Sequence, residues 1–224
     1  MNIKLLLKYF SSDSLQVVST TPSFVHGYTL FDFTTSPHLD NWEEVSDTKR
    51  DVGKSKAVFT LHKSSNFQNA IFFTLLNPQS NGACFAGSRT DVKFDLSKYD
   101  MLVLFGHVHG NHNASYKIVL QHNGIQDNRV PCYEYIFHAQ PSHEPLLFQL
   151  PLDEFKPIFR GRYVPGTPPL NKANITRLGI QTFGGVYEQT KQSGVSCLSI
   201  DWIKAVHSKY LDAVLNDAHM YSRG

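Results

Sequence analysis

The chain has 224 residues, 41% hydrophobic and 18% charged, and its 21 basic and 19 acidic side chains leave a formal charge of +2. That length suits a single domain, since sandwiches and barrels of this size commonly fold as one unit, and the composition can bury a core without metal or disulfide staples. The charges are interleaved, with no basic block to track a phosphate backbone, which argues against nucleic acid as a partner; no apolar run reaches the ~20 residues needed to cross a bilayer as a helix.

In chain order, residues 1–27 form a segment with little pattern. Lys8 interrupts Leu5-Leu6-Leu7, too early for the apolar core of a secretory signal. The first 25 residues are rich in Ser and Thr and hold one acid, Asp13, which partly fits a mitochondrial transit peptide, although such peptides are Arg-rich and this stretch has no arginine. From residue 28 to 206 short apolar or alternating runs recur between Gly, Pro, Asn and Ser breaks, the pattern of an all-β sandwich. The runs are 28–33, 57–61, 70–76, 83–89, 101–106, 116–121, 133–138, 146–150, 175–181 and 195–206. Tyr116 to Gln121 and Tyr133 to Phe137 carry the β-branched and aromatic residues of central strands. Val164-Pro165-Gly166-Thr167-Pro168-Pro169 lacks three ladder donors and is predicted to be an irregular surface loop. Residues 207–224 form a helical tail: Ser208 is placed to cap it, and Leu211, Val214, Leu215 and Ala218 share one face.

Four blocks carry a family resemblance. They are Trp42-Glu43-Glu44-Val45-Ser46-Asp47-Thr48, then Asn81 to Thr90, then Leu150-Pro151-Leu152-Asp153-Glu154-Phe155-Lys156-Pro157-Ile158-Phe159-Arg160-Gly161-Arg162, and finally Leu198-Ser199-Ile200-Asp201-Trp202-Ile203. In this order they resemble the complex I intermediate-associated protein 30 family, over residues from about Leu30 to Ile203. The resemblance implies a galactose-binding-like jelly-roll β-sandwich, a non-enzymatic assembly role on intermediates of NADH:ubiquinone oxidoreductase, protein partners and a mitochondrial location. Two departures stand out: Lys49 to Ser55 keeps one glycine where the family usually pairs two, and Cys84 occupies a position where many relatives carry glycine. A positive φ there would cost a cysteine what glycine avoids.

The third block should end a strand and turn a proline-shaped corner over buried aromatics, with Arg160 and Arg162 projecting from its tip. Phe155, Phe159, Arg160 and Arg162 are the candidate partner-binding residues; structural roles compete with that assignment, because a guanidinium serves either purpose. Trp42 and Asp47 suit a buried anchor and an Asx turn. His107 and His109 share a strand face, with His112 in the following loop, and are weighed as a metal site against a polar strand end; the second is favoured, because neither Cys nor carboxylate stands near in sequence. No metal, cofactor or catalytic residue is expected. G-x-S-x-G, H-E-x-x-H and phosphate-loop motifs are missing, Gly184-Gly185 suits a turn or bulge, and the adjacent acids of Glu43-Glu44 and Asp153-Glu154 diverge on a strand. Cys84, Cys132 and Cys197 form no C-x-x-C pair. The alternative function is a secreted glycan-binding module, motivated by the fold and by the sequons at Asn113 and Asn174, with Tyr133, Tyr135, Tyr163, Trp42 and Trp202 as possible sugar platforms.

Overall fold

The structure, a computed structural model, describes residues 27–49, 53–110, 112–124, 130–142, 144–184 and 191–221. The expectations for residues 1–26, for Arg50, Asp51 and Val52, and for Gly185 lie outside the described residues. The strands are β1 (Tyr28–Asp32), β2 (Glu43–Ser46), β3 (Lys56–Lys63), β4 (Gln68–Leu76), β5 (Phe85–Phe94), β6 (Met101–His109), β7 (Ala114–His122), β8 (Cys132–Ala139), β9 (Leu146–Pro151), β10 (Lys156–Phe159), β11 (Arg162–Tyr163), β12 (Ile175–Phe183) and β13 (Gly194–Val206), followed by helix α1 (Leu211–Tyr221). Two antiparallel sheets face each other. The first runs β3-β4-β13-β6-β9, with β1 also paired to β13; the second runs β11-β10-β8-β7-β12-β5-β2. All ten runs read from the sequence are strands, and β7 and β8 are interior as predicted.

Alternate residues of the longer strands meet in a main core that includes Phe33, Phe72, Leu102, Leu104, Tyr116, Ile118, Leu120, Leu150, Leu198 and Ile200. Aromatic rings bridge the layers in series: Trp42–Phe59 at 4.6 Å, Phe59–Phe72 at 6.1 Å, Phe72–Tyr116 at 6.3 Å, Tyr116–Phe137 at 5.6 Å and Phe137–Phe148 at 5.0 Å between centroids. Such tilted and offset pairs add to the burial of their large surfaces. Trp42 is therefore a packing anchor, half-buried against Phe31, Phe33 and Phe59.

Asp47, expected to close an Asx turn, shows no such bond among the described residues and acts between strands instead. Its carboxylate is buried and accepts from the Ser55 N–H (2.9 Å), the Ser55 hydroxyl (2.8 Å) and the Phe85 N–H (3.3 Å). One side chain thus ties the end of β2 to the starts of β3, in the first sheet, and β5, in the second. Beside it, Cys84 has no positive φ, so the glycine seen in relatives is not needed for backbone conformation. Its sulfur sits against Gly184, where a Cβ would lie 2.2 Å from Sγ.

In β13 the register shifts between Ile200 and Trp202. Ser199 pairs with His107 and Trp202 with Phe105, so Asp201 is an extra residue in a β-bulge. The strands come close here: a Cβ on Gly106 would stand 2.2 Å from the Ser199 carbonyl oxygen. Beyond the bulge Trp202 and Val206 leave the main core and, with Val103 and Phe105, form a second cluster covered by Val214 and Ala218 of α1. The helix is present as expected, but Ser208 is not its cap. Ser208 lies in a preceding 3-10 turn and donates its N–H and hydroxyl to the Asp100 carboxylate at 2.6 and 2.8 Å, joined by His207 at 3.2 Å.

Asp47→Asn should lower stability by about 3 kcal/mol, or ~6–12 °C in Tm, because one carboxylate oxygen becomes an N–H₂ that cannot accept from the buried donors it faces; urea and thermal unfolding measure it. Gly184→Ala should destabilise the wild type but cost far less when combined with Cys84→Gly, a non-additivity that a double-mutant cycle reads directly.

Candidate functional site

The proline-shaped corner forms as read, and it includes a hairpin that the sequence did not show. After β9, a 3-10 turn at Leu152–Glu154 leads into β10, which pairs with β8 and returns as β11. Phe155 is 5% exposed and packs on Tyr135 with ring centroids 5.5 Å apart, so it belongs to the core and has no face for a partner. Phe159 is half-buried, while Arg160 and Arg162 are exposed. Arg160 and Gly161 form the two-residue turn with φ of 51° and 77°, and the Arg160 guanidinium lies 5.1 Å from the Phe159 ring centroid. Two positive φ values match the twist of a hairpin, yet arginine pays sterically where asparagine is preferred. The Pro165–Pro169 segment is irregular as predicted, and the buried Tyr133 donates its hydroxyl to the Pro168 carbonyl.

A second surface lies on the outer face of the first sheet. A half-open groove of about 340 Å³ is lined by His62, Phe67, Asn69, Ile71, His107, His109, Pro145, Cys197, Ser199 and Asp201. The His107 and His109 rings are neighbours, with centroids 4.5 Å apart. His107 Nε2 bonds the Ser142 carbonyl, which only accepts, so this nitrogen carries the proton. Ser199 donates its hydroxyl to the His107 carbonyl (3.3 Å) and therefore receives its bond from His109 Nε2 (3.0 Å). Burial, then the neighbouring His107 and His62, hold His109 below the ordinary imidazole pKa. Burial raises the Asp201 pKa; a hydrogen bond from Asn69 opposes this, Asp32 adds to it and His107 opposes it. Asn69 Oδ1 is buried and accepts no hydrogen bond from the described residues. No group of three His, Cys, Asp or Glu among the described residues could hold a metal ion; His112 is exposed.

Along the same face the register places Val58 beside Phe73, Phe73 beside Cys197, and Leu75 beside Val195. Val58, Phe73, Leu75 and Val195 are 41–58% exposed and form an apolar patch continuous with the groove. The proposed aromatic platforms lie elsewhere. Tyr133 and Trp202 are buried, Trp42 and Tyr135 are packed against the core, and Tyr163 is exposed on β11. Asn113 and Asn174 are both exposed.

The outer face of the second sheet is laced instead with ion pairs: Lys117–Glu134 at 2.8 Å, Arg177–Asp91 at 2.6 Å and Arg89–Glu43 at 2.6 Å. Glu43 and Glu44 diverge as expected, Glu44 turning to Lys56 and the Ala57 N–H. The three cysteines are free thiols, and burial is the main cause that raises each pKa; Cys132, also beside Glu134, is pushed up to about 12. Thiols so held are poor nucleophiles.

Two facing antiparallel sheets define a β-sandwich, similar in fold to solved carbohydrate-binding modules. The family 11 module from Clostridium thermocellum, solved in complex with a β-1,3-1,4-mixed-linked tetrasaccharide, is 15% identical, with a TM-score of 0.55 over 81% of this chain and 96% of that one. The solution structure of the Clostridium thermocellum module CtCBM11 is 17% identical, with a TM-score of 0.56 over 84% and 98%. A sandwich within the agarase AgWH50C is 9% identical, with a TM-score of 0.52 over 81% of this chain and 24% of that one. These likenesses show the fold. By sequence, residues 31–200 match Complex I intermediate-associated protein 30 (CIA30), and the chain belongs to that family. Membership supports a complex I assembly-related role in general. Comparison with curated protein sequences finds no match.

Replacing Arg160 by Asn should relieve the left-handed turn and stabilise the protein by about 0.5–1 kcal/mol, a rise of a few degrees in Tm by calorimetry.

Proposed function

We propose that this chain is a non-catalytic assembly factor that binds intermediates of NADH:ubiquinone oxidoreductase in mitochondria and keeps them competent for assembly. The observation that carries the proposal is the CIA30 match across residues 31–200, which spans nearly the whole sandwich. The geometry suits a holding role. An aromatic-bridged core and a buried carboxylate clamp make a stiff frame, and a two-residue turn fixes the backbone that carries the hairpin arginines. In this proposal Phe159, Arg160 and Arg162 form one contact of the interface, where rigid aromatic and guanidinium groups serve as anchors.

A second function, glycan binding in the secretory pathway, is supported by the groove on the sheet face, by the tetrasaccharide held by the Clostridium thermocellum module, and by the two exposed sequons. Saturable binding of mixed-linked β-glucan and glycosidase-sensitive mobility of the expressed protein would favour it.

Deleting the gene should lower assembled complex I, and affinity capture of the wild type should return its subcomplexes. Arg160→Glu with Arg162→Glu should weaken that capture by about tenfold, the loss of more than one anchoring contact, while leaving Tm within a few degrees of wild type. Normal complex I after deletion would reject the proposal.

A further inference from the structure

The histidine groove has an unusual hydrogen-bond balance. His107 spends its ring proton on the Ser142 carbonyl, His109 spends its own on Ser199, and Ser199 spends its proton on the His107 carbonyl. The Asn69 amide N–H₂ is engaged with Asp201 while its oxygen stays buried and unpartnered. What His107, His109 and Asp201 still offer a ligand is therefore acceptor capacity: the Asp201 carboxylate and the second nitrogens of the two imidazoles. His62, edge-on to Phe67 at 5.1 Å, keeps both tautomers open.

The charges agree with this balance. Asp201 on β13 feels Asp32 on β1 and His107 on β6, His109 feels His107 and His62 on β3, and no lysine or arginine among the described residues lines the groove. An anion would meet Asp201 and bare lone pairs. Sugar hydroxyls could donate here, but their oxygens would find few donors in return. A cation meets the Asp201 carboxylate and the imidazole lone pairs together.

We propose that the outer face of the first sheet receives a peptide segment of the protein partner, with an arginine or lysine entering the groove at Asp201 and its apolar neighbours lying on Val58, Phe73, Leu75 and Val195. That the ligand is a protein rests on the assembly-factor function proposed above; the cation and its apolar flanks come from the face itself. Charge selects the residue that enters, and the exposed apolar patch supplies the burial that a single half-exposed ion pair does not. Acidification weakens the contact in two ways. Asp201, whose pKa burial raises, is neutralised at a higher pH than an exposed carboxylate, and His109, held below the ordinary imidazole range, gains positive charge beside the incoming cation at lower pH.

The test is an NMR titration of the full chain, following the imidazole signals of His107 and His109 and the Asn69 side-chain amide. The probes are N-acetyl-arginine methylamide, its uncharged citrulline isostere and a β-1,3-1,4-mixed-linked tetrasaccharide. The arginine probe should give saturable shifts at about pH 7.5, weakened about tenfold at about pH 5.5, with the citrulline probe and in Asp201→Asn. The pH and citrulline arms use the wild type, so they decide the matter even if the variant folds poorly. Absence of saturation with arginine, equal binding of citrulline, or saturation of the same signals by the tetrasaccharide would overturn the proposal. Any of these would leave the assembly role to be judged by complex I levels in the deletion strain.

Discussion

One extra residue in β13 organises the first sheet. Without the bulge at Asp201, strict alternation would send Trp202 into the main core beside Ile200 and leave Ile203 facing out. With it, Leu198, Ile200, Ile203 and Ala205 all face inward, while Ser199 and Trp202 both face outward. The same step divides the outer face. Below the bulge the stacked pair Phe105–Trp202, with the Lys204 ammonium 4.3 Å from the indole centroid, lies under α1; above it the face stays open and holds the groove. Gly106 permits the arrangement, since any side chain there would strike the Ser199 backbone.

Period-two alternation made most of the sandwich legible in the sequence, because strands such as β7 and β8 turn one face into the core. The short strands were hidden for identifiable reasons. β2 is Glu43-Glu44-Val45-Ser46, whose polar side chains make ion pairs and hydrogen bonds and carry little hydrophobic signal. β10 contains Pro157, which normally speaks against a strand; here its carbonyl bonds Val164 on the outer flank, so the N–H it lacks is not missed by β8. Phe155 reads as a candidate contact from its place in a family block, and only the packing against Tyr135 reveals its structural role.

The groove was legible only in part. His107 and His109 stand out as an i, i+2 pair, but Asn69, His62, Ser199 and Asp201 arrive from other strands, and the bulge that presents Asp201 breaks the alternation that would have located it. Cys84 shows the reverse case. Its departure from the family glycine is visible in sequence, whereas its consequence, a dependence on Gly184 across the loop, appears only when the strands are assembled. Among the described residues, burial raises the pKa of each of the three thiols, and on the second sheet Lys117 is paired with Glu134 and Arg177 with Asp91. The two sheets differ in what they expose: one carries a hairpin with Arg160 and Arg162 at its turn, the other an open face with the histidine groove and an apolar patch.

Site-specific photo-crosslinking in mitochondria tests this division of labour most directly. A benzophenone side chain placed at Phe73, at Arg162 or at Ile136, which is exposed on the outer face of the second sheet, reports which surface touches the intermediates. Adducts with complex I subunits from Phe73 and Arg162, and none from Ile136, are the predicted result. Adducts from Ile136 alone, or from none of the three in cells where assembly proceeds, would contradict the account.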